Sequence, residues 1–115
     1  MKKMLLIGII FVAAFVLRIY SRLEAYCFFY PGIDTQYAPG FSEQVFSQIS
    51  TDMTVAVVQQ KLGVPLYAVT NRDGTFWWSY TLDGKCKWGD WAWMCREVYF
   101  QDGRVKRITK EWRYD

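Results

Sequence analysis

The apolar positions of this chain change their period twice. Residues 4–17 form an uninterrupted apolar run behind Lys2 and Lys3. Phe41, Val45, Phe46 and Ile49 then recur at helical spacing, as do Val55, Val58 and Leu62. Beyond Pro65 the apolar and aromatic residues fall instead in short runs separated by turn residues. This pattern predicts a helix over 41–49 with Ser42 as its N-cap, and a second over 54–62 with Thr54 as N-cap. Gly63 supplies the residue that ends the second helix, and Pro65 forbids its continuation. Strands are expected at 66–70, 75–82, 95–101 and 104–112. The turns between them are Asn71-Arg72-Asp73-Gly74, Asp83-Gly84 and Asp102-Gly103, the last a tight hairpin. Helices first and antiparallel strands afterwards is an α+β order. The expected fold is an N-terminal membrane helix, then two short helices laid on a three- to four-stranded antiparallel meander. Neither short helix is stable alone, so both must dock on the sheet.

The expected domain division is 1–26 as anchor or signal, 27–40 as a linker punctuated by Pro31-Gly32 and Pro39-Gly40, and 41–115 as the folded domain. A run of fourteen apolar residues is the length of a signal-peptide core. Ile19 and Tyr20 extend it past Arg18, whose side chain can snorkel, to roughly 17 residues and a marginal span. The residues before Cys27, Glu24-Ala25-Tyr26, fit neither signal cleavage nor lipoprotein processing. The reading is therefore an uncleaved single-pass anchor in the inner membrane with the domain in the periplasm, oriented by Lys2 and Lys3, although Arg22 argues the other way. Removal of the segment as a signal is the alternative, leaving the domain exported or associated with the outer membrane.

Charge changes the picture by subtraction. Lys2, Lys3, Arg18, Arg22 and Glu24 carry the whole net charge of +3, so the rest of the chain is neutral. The basic balance reports a membrane flank, and no basic run interleaves with aromatics as a phosphate-tracking groove would, so nucleic acid is discounted as a partner. The chain contains no histidine. That excludes Ser-His-Asp and Cys-His catalysis and the usual zinc sites. Asp73, Asp83 and Asp102 each precede glycine, where turn geometry explains them. With no glycine-rich phosphate loop either, no enzyme, cofactor or metal is expected.

The spacing Ile49-x3-Met53-Thr54-x3-Val58-x3-Leu62-Gly63-x-Pro65 resembles the signature of the SmpA/OmlA (BamE-like) family, small lipoproteins of outer-membrane protein assembly. The family usually has glycine before the Met-Thr pair. Asp52 stands there in this chain, a residue that still tolerates a left-handed turn. The resemblance extends loosely over 41–112, through the aromatic strand around Trp77, Trp78 and Tyr80 and through Val98-Tyr99-Phe100-Gln101-Asp102-Gly103. It implies two helices on a meander and a protein-binding accessory role in the envelope. Domains of this shape also include β-lactamase inhibitor proteins, so an inhibitor or immunity-type protein blocking a secreted enzyme or toxin is one alternative, and a glycan- or lipid-binding envelope protein is another. The missing lipobox is where the chain departs from these lipoproteins.

Candidate contact residues cluster late in the chain. Trp88, Trp91 and Trp93 share one loop and can form a rigid docking patch, lie in a lipid interface, stack on a glycan, or fold back to cap the sheet edge. Trp77, Trp78 and Trp112 lie on expected strands as core or half-buried residues. Cys86 and Cys95 flank the same loop at the ends of neighbouring strands, where a disulfide closing it contributes roughly 2–3 kcal/mol; the alternative is two buried thiols. Cys27 is an inert residue at the end of the anchor, an intermolecular link or atypical lipidation being the alternatives. Arg96, Arg104, Lys106, Arg107, Lys110 and Arg113 alternate with Glu97, Glu111 and Asp115, the mixed signs of a solvated sheet face. Within that set Arg104 and Arg107 are the residues placed to engage headgroups or an acidic partner. The expected partner is an envelope protein, with the membrane contacted through the N-terminal helix.

Overall fold

The computed structural model describes residues 1–22, 32–84 and 91–114. It is an α+β arrangement: α1 (Lys2–Arg22), β1 (Thr35–Tyr37), α2 (Glu43–Phe46), α3 (Val55–Leu62), β2 (Tyr67–Thr70), β3 (Phe76–Ser79), β4 (Thr81–Asp83), β5 (Trp93–Gln101) and β6 (Arg104–Arg113). A four-stranded antiparallel sheet has the order β2-β3-β5-β6, and β1 pairs with β4 in a second sheet of two strands.

Residues 1–19 are exposed throughout. Among the described residues no helix is long and apolar enough to cross a membrane. At 1.5 Å rise per residue the apolar run between Lys3 and Arg18 extends about 21 Å, short of the roughly 30 Å hydrocarbon core. The single-pass anchor, and the inner-membrane location built on it, therefore find no support.

The second half of the expected linker is folded structure. Thr35, Gln36 and Tyr37 pair with Asp83, Leu82 and Thr81. Ala38 is buried and donates its N–H to the Tyr80 carbonyl at 2.8 Å. Two Pro-Gly pairs resemble a tether in sequence, yet a three-residue strand fits between them once a partner edge exists. That edge comes from a break in the expected 75–82 strand. The chain leaves the main sheet after Ser79; Tyr80, fully buried, still donates its N–H to the Arg96 carbonyl, and β4 then turns away to meet β1.

Both short helices begin where the caps predict. Ser42 Oγ accepts from the Val45 N–H and Thr54 Oγ1 from the Val57 N–H, each at 3.3 Å. α3 ends at Gly63, whose φ of +75° suits a residue without Cβ. α2 is a single turn rather than the whole of 41–49. Its continuation tightens into Gln48 N–H to Val45 and Ile49 N–H to Phe46 carbonyl bonds, which still deliver Phe46 and Ile49 to the core.

The family-like motif has a mechanical reading. Asp52 adopts φ +71°, the left-handed conformation expected at that position. Its N–H donates to the Val105 carbonyl at 2.9 Å, and the Val105 N–H returns a bond to Met53 at 2.8 Å. Thr54 bridges Arg104, and the Val55 N–H reaches Gly103 at 3.3 Å. The entry to α3 is thereby clasped to the β5–β6 hairpin, whose turn residues Asp102 and Gly103 both have positive φ. Val58 and Leu62 are held over Val98, Phe100 and Val105, which with Phe46, Ile49 and Tyr80 form the core.

Candidate functional site

Strand alternation gives the four-stranded sheet two unlike faces. On the helix side Val98 pairs with Ile108 and Trp78, and Phe100 with Val105 and Phe76. Phe100 lies 4.8 Å from the Phe76 ring, stacked, and 4.9 Å from Trp78, edge-on. On the opposite face register aligns Val69, Trp77, Tyr99 and Arg107 in one row across all four strands. Among the described residues no helix covers that row. Trp77 and Tyr99 are half-buried and Arg107 is exposed, its guanidinium 5.0 Å above the Tyr99 ring.

Arg107 reaches this face because β6 carries an irregularity opposite Tyr99 and Phe100. Tyr99 pairs with Arg107 but Phe100 pairs with Val105, leaving Lys106 as an extra residue. Strict alternation from Val105 would have sent Arg107 inward. The bulge instead restores Ile108 to the core side and sets Arg107 beside Tyr99.

The row borders a shallow cavity of about 250 Å³ lined by Trp77, Glu97, Tyr99, Arg107, Thr109 and Arg113. Glu97 accepts both Nη groups of Arg113, at 3.0 and 3.1 Å, and Arg113 Nε donates to Glu111 at 3.1 Å. Arg113 is thus committed to carboxylates while Arg107 lies against an aromatic ring. Further along β5 the Trp93 ring lies 5.8 Å from the Arg113 guanidinium, and Cys95 is fully buried. Burial, with Glu97 nearby, pushes the Cys95 thiol up to about 12.

The expected contact residues are dispersed by this geometry. Trp93 is 8% exposed, so it closes the face rather than projecting from a loop. Trp91 is half-buried, and its backbone N–H donates to Asp34 Oδ2 at 3.1 Å. Arg104 is exposed, but it spends one guanidinium nitrogen on the Asp52 carbonyl at 2.8 Å, within the clasp. Among the described candidates Arg107 alone belongs to the open row. Trp88 and Cys86 lie outside the described residues, and so does the Cys86–Cys95 pairing; Cys27 lies outside them as well.

No family model, curated protein or solved structure matches the chain. The resemblance to the SmpA/OmlA family is thus one of sequence motif alone, which these comparisons do not identify.

Two groupings were not anticipated from sequence. Asp34, 1% exposed, accepts the Trp91 N–H on its side chain and the Gly84 N–H on its backbone, tying the entry of β1 to the ends of β4 and of the tryptophan loop. The second is ionic. Arg96 and Lys110 are cross-strand partners on the helix side, where Lys110 is exposed but Arg96 is buried rather than part of a solvated face. Glu43, the first residue of α2, accepts from Arg96 Nε at 2.9 and 3.0 Å and lies 3.0 Å from Lys110 Nζ. Burial works to raise the Glu43 carboxyl, but the hydrogen bonds and charges of Lys110 and Arg96 outweigh it and hold the group below its ordinary value. A sequence signal existed: Arg96 falls on the same strand parity as Met94, Val98 and Phe100.

Proposed function

We propose that this chain is a protein-binding accessory module of the cell envelope, of the SmpA/OmlA kind, which grips a partner protein with the uncovered sheet face around Trp77, Tyr99 and Arg107. One observation carries the reading: three strands bring a tryptophan, a tyrosine and an arginine into one row on the face the helices leave open. These are the side chains that dominate protein interfaces, since their rings bury large area and arginine supplies a planar charge. The envelope setting is supported by the motif resemblance and by the basic then apolar N-terminus. Beside the row, β6 ends the sheet order among the described residues, and beyond Val105, where its edge is bonded to Asp52 and Met53, it offers an edge to a partner strand. Arg107 favours an acidic group at the contact.

The test is affinity capture of the full-length chain after crosslinking in cells, wild type against Tyr99→Ala/Arg107→Glu. The reading expects a defined envelope protein to be captured by wild type and lost from the variant at equal expression. Capture of a secreted enzyme whose activity the protein blocks would instead favour the inhibitor reading. Equal capture by both forms would remove this face from the interface.

A further inference from the structure

A second cavity, of about 470 Å³, opens on the other side of the sheet between β1, the start of α2 and strands β5 and β6. Its walls are Tyr37, Phe41, Glu43, Met94, Arg96 and Lys110. The volume lies within the range of small-molecule sites, and the lining combines an apolar wall with a few convergent charges. Tyr37 and Phe41 stack at 5.5 Å to form that wall, and Met94 adds an adaptable thioether.

The charges do not cancel. Arg96 and Lys110 share the single carboxylate of Glu43, which leaves one positive charge in the groove. The Arg96 side chain is only 8% exposed, so its charge is felt at reduced solvent screening. Its Nε is held by Glu43 and its Nη1 by the Cys95 carbonyl at 2.8 Å. Its Nη2 donates at 3.6 Å to Met94 Sδ, a weak acceptor on the groove wall. A buried guanidinium nitrogen facing a thioether gains from a carboxylate offered in its place, because a charge-assisted hydrogen bond is roughly twice as strong as a neutral one.

We propose that this groove binds a small monocarboxylate with an aromatic or short alkyl body. Its carboxylate takes hydrogen bonds from Arg96 Nη2 and Lys110 Nζ, and its apolar body lies along Tyr37, Phe41 and Met94. Glu43 keeps Arg96 Nε and rejects dianions by repulsion. The inference is independent of the open face, which lies across the sheet.

The experiment titrates the isotope-labelled full-length protein with 3-phenylpropionate, octanoate and the uncharged 3-phenylpropan-1-ol, following amide and side-chain NMR signals of Met94, Arg96 and Lys110. Either acid is expected to bind saturably with shifts centred on these residues, and the alcohol about tenfold more weakly, the equivalent of about 1.4 kcal/mol. Lys110→Glu reverses the groove charge at a side chain that is half exposed, so the fold survives, and is expected to weaken the acids at least about tenfold. Phe41→Ser is a second variant acting on the apolar wall, expected to weaken acid and alcohol together. Equal binding of acid and alcohol, indifference to Lys110→Glu in a protein with wild-type melting, or no localised shift at millimolar acid would overturn the proposal.

Discussion

Tyr99 and Phe100 are neighbours on one strand and belong to two different parts of the molecule. Phe100 is fully buried between Phe76, Trp78 and the helices. Tyr99 stands half-buried on the opposite face between Trp77 and Arg107. Both are large aromatics, so composition does not separate them; the two-residue period of the strand does. The helix face spends its apolar area on holding α2 and α3, whereas the open face leaves Trp77 and Tyr99 half in water. Burial that stabilises the fold and exposure that serves a contact are thus divided between alternate residues of the same strands.

The sharpest way to break this division is to truncate each neighbour. Phe100→Ala is expected to cost about 3–5 kcal/mol, because it leaves a cavity where two aromatic rings lose their partner. Tyr99→Ala is expected to cost less than about 1.5 kcal/mol while abolishing partner capture. Urea denaturation of both variants checks the pair, and similar losses would dissolve the distinction.

The polar end of the helix face gives the next effect. Glu43→Gln is expected to destabilise by about 1–2 kcal/mol at neutral pH, since it weakens the partner of the buried Arg96 guanidinium. Because the folded carboxyl is held below its ordinary value of 4.5, its contribution is complete above that pH and is lost as pH falls through the lowered value. Wild type should therefore lose more stability than Glu43→Gln below about pH 4.5, a difference readable from thermal melts at pH 3.5 and 6. Parallel pH profiles would contradict the assignment.

The clasp comes third. Thr54→Ala removes the α3 N-cap and is expected to cost about 1 kcal/mol. Asp52→Val forces a β-branched residue into the left-handed region and should cost about 1–2 kcal/mol, while Asp52→Gly should be neutral or mildly stabilising. Chemical denaturation of the three variants separates the backbone requirement from any role of the carboxylate. The smallest effect is expected from Arg107→Glu, within about 0.5 kcal/mol of wild type in stability, because its side chain is exposed and contacts only an aromatic face.

Local chemistry was the legible part of the sequence. Ser42 and Thr54 cap their helices, Gly63 and Asp52 hold positive φ, and Asp102-Gly103 makes the hairpin, because each outcome depends on a few adjacent residues. Less legible was whatever depends on a distant partner. Thr35–Tyr37 becomes a strand only because β4 leaves the main sheet to meet it, and no pattern within 30–40 announces that. The contact residues divide in the same way. Arg107 is a candidate from sequence alone, yet its place beside Tyr99 depends on a bulge whose sequence trace is the three-residue step from Val105 to Ile108, where a strand period of two is broken. In sequence Trp93 belongs to a loop, since the expected strand starts at Cys95. It starts at Trp93, which carries the indole into a buried position under Arg113. Glu43, Arg96 and Lys110 come from three separate elements and meet only in the fold.

The division between the two faces is tested most directly by placing a photo-crosslinking amino acid at Thr109, on the open face, and separately at Ala56, exposed on α3, in the full-length chain in cells. The account predicts a discrete protein adduct from position 109 and none from position 56. An adduct from position 56 with none from 109 would move the contact surface to the helices and contradict it.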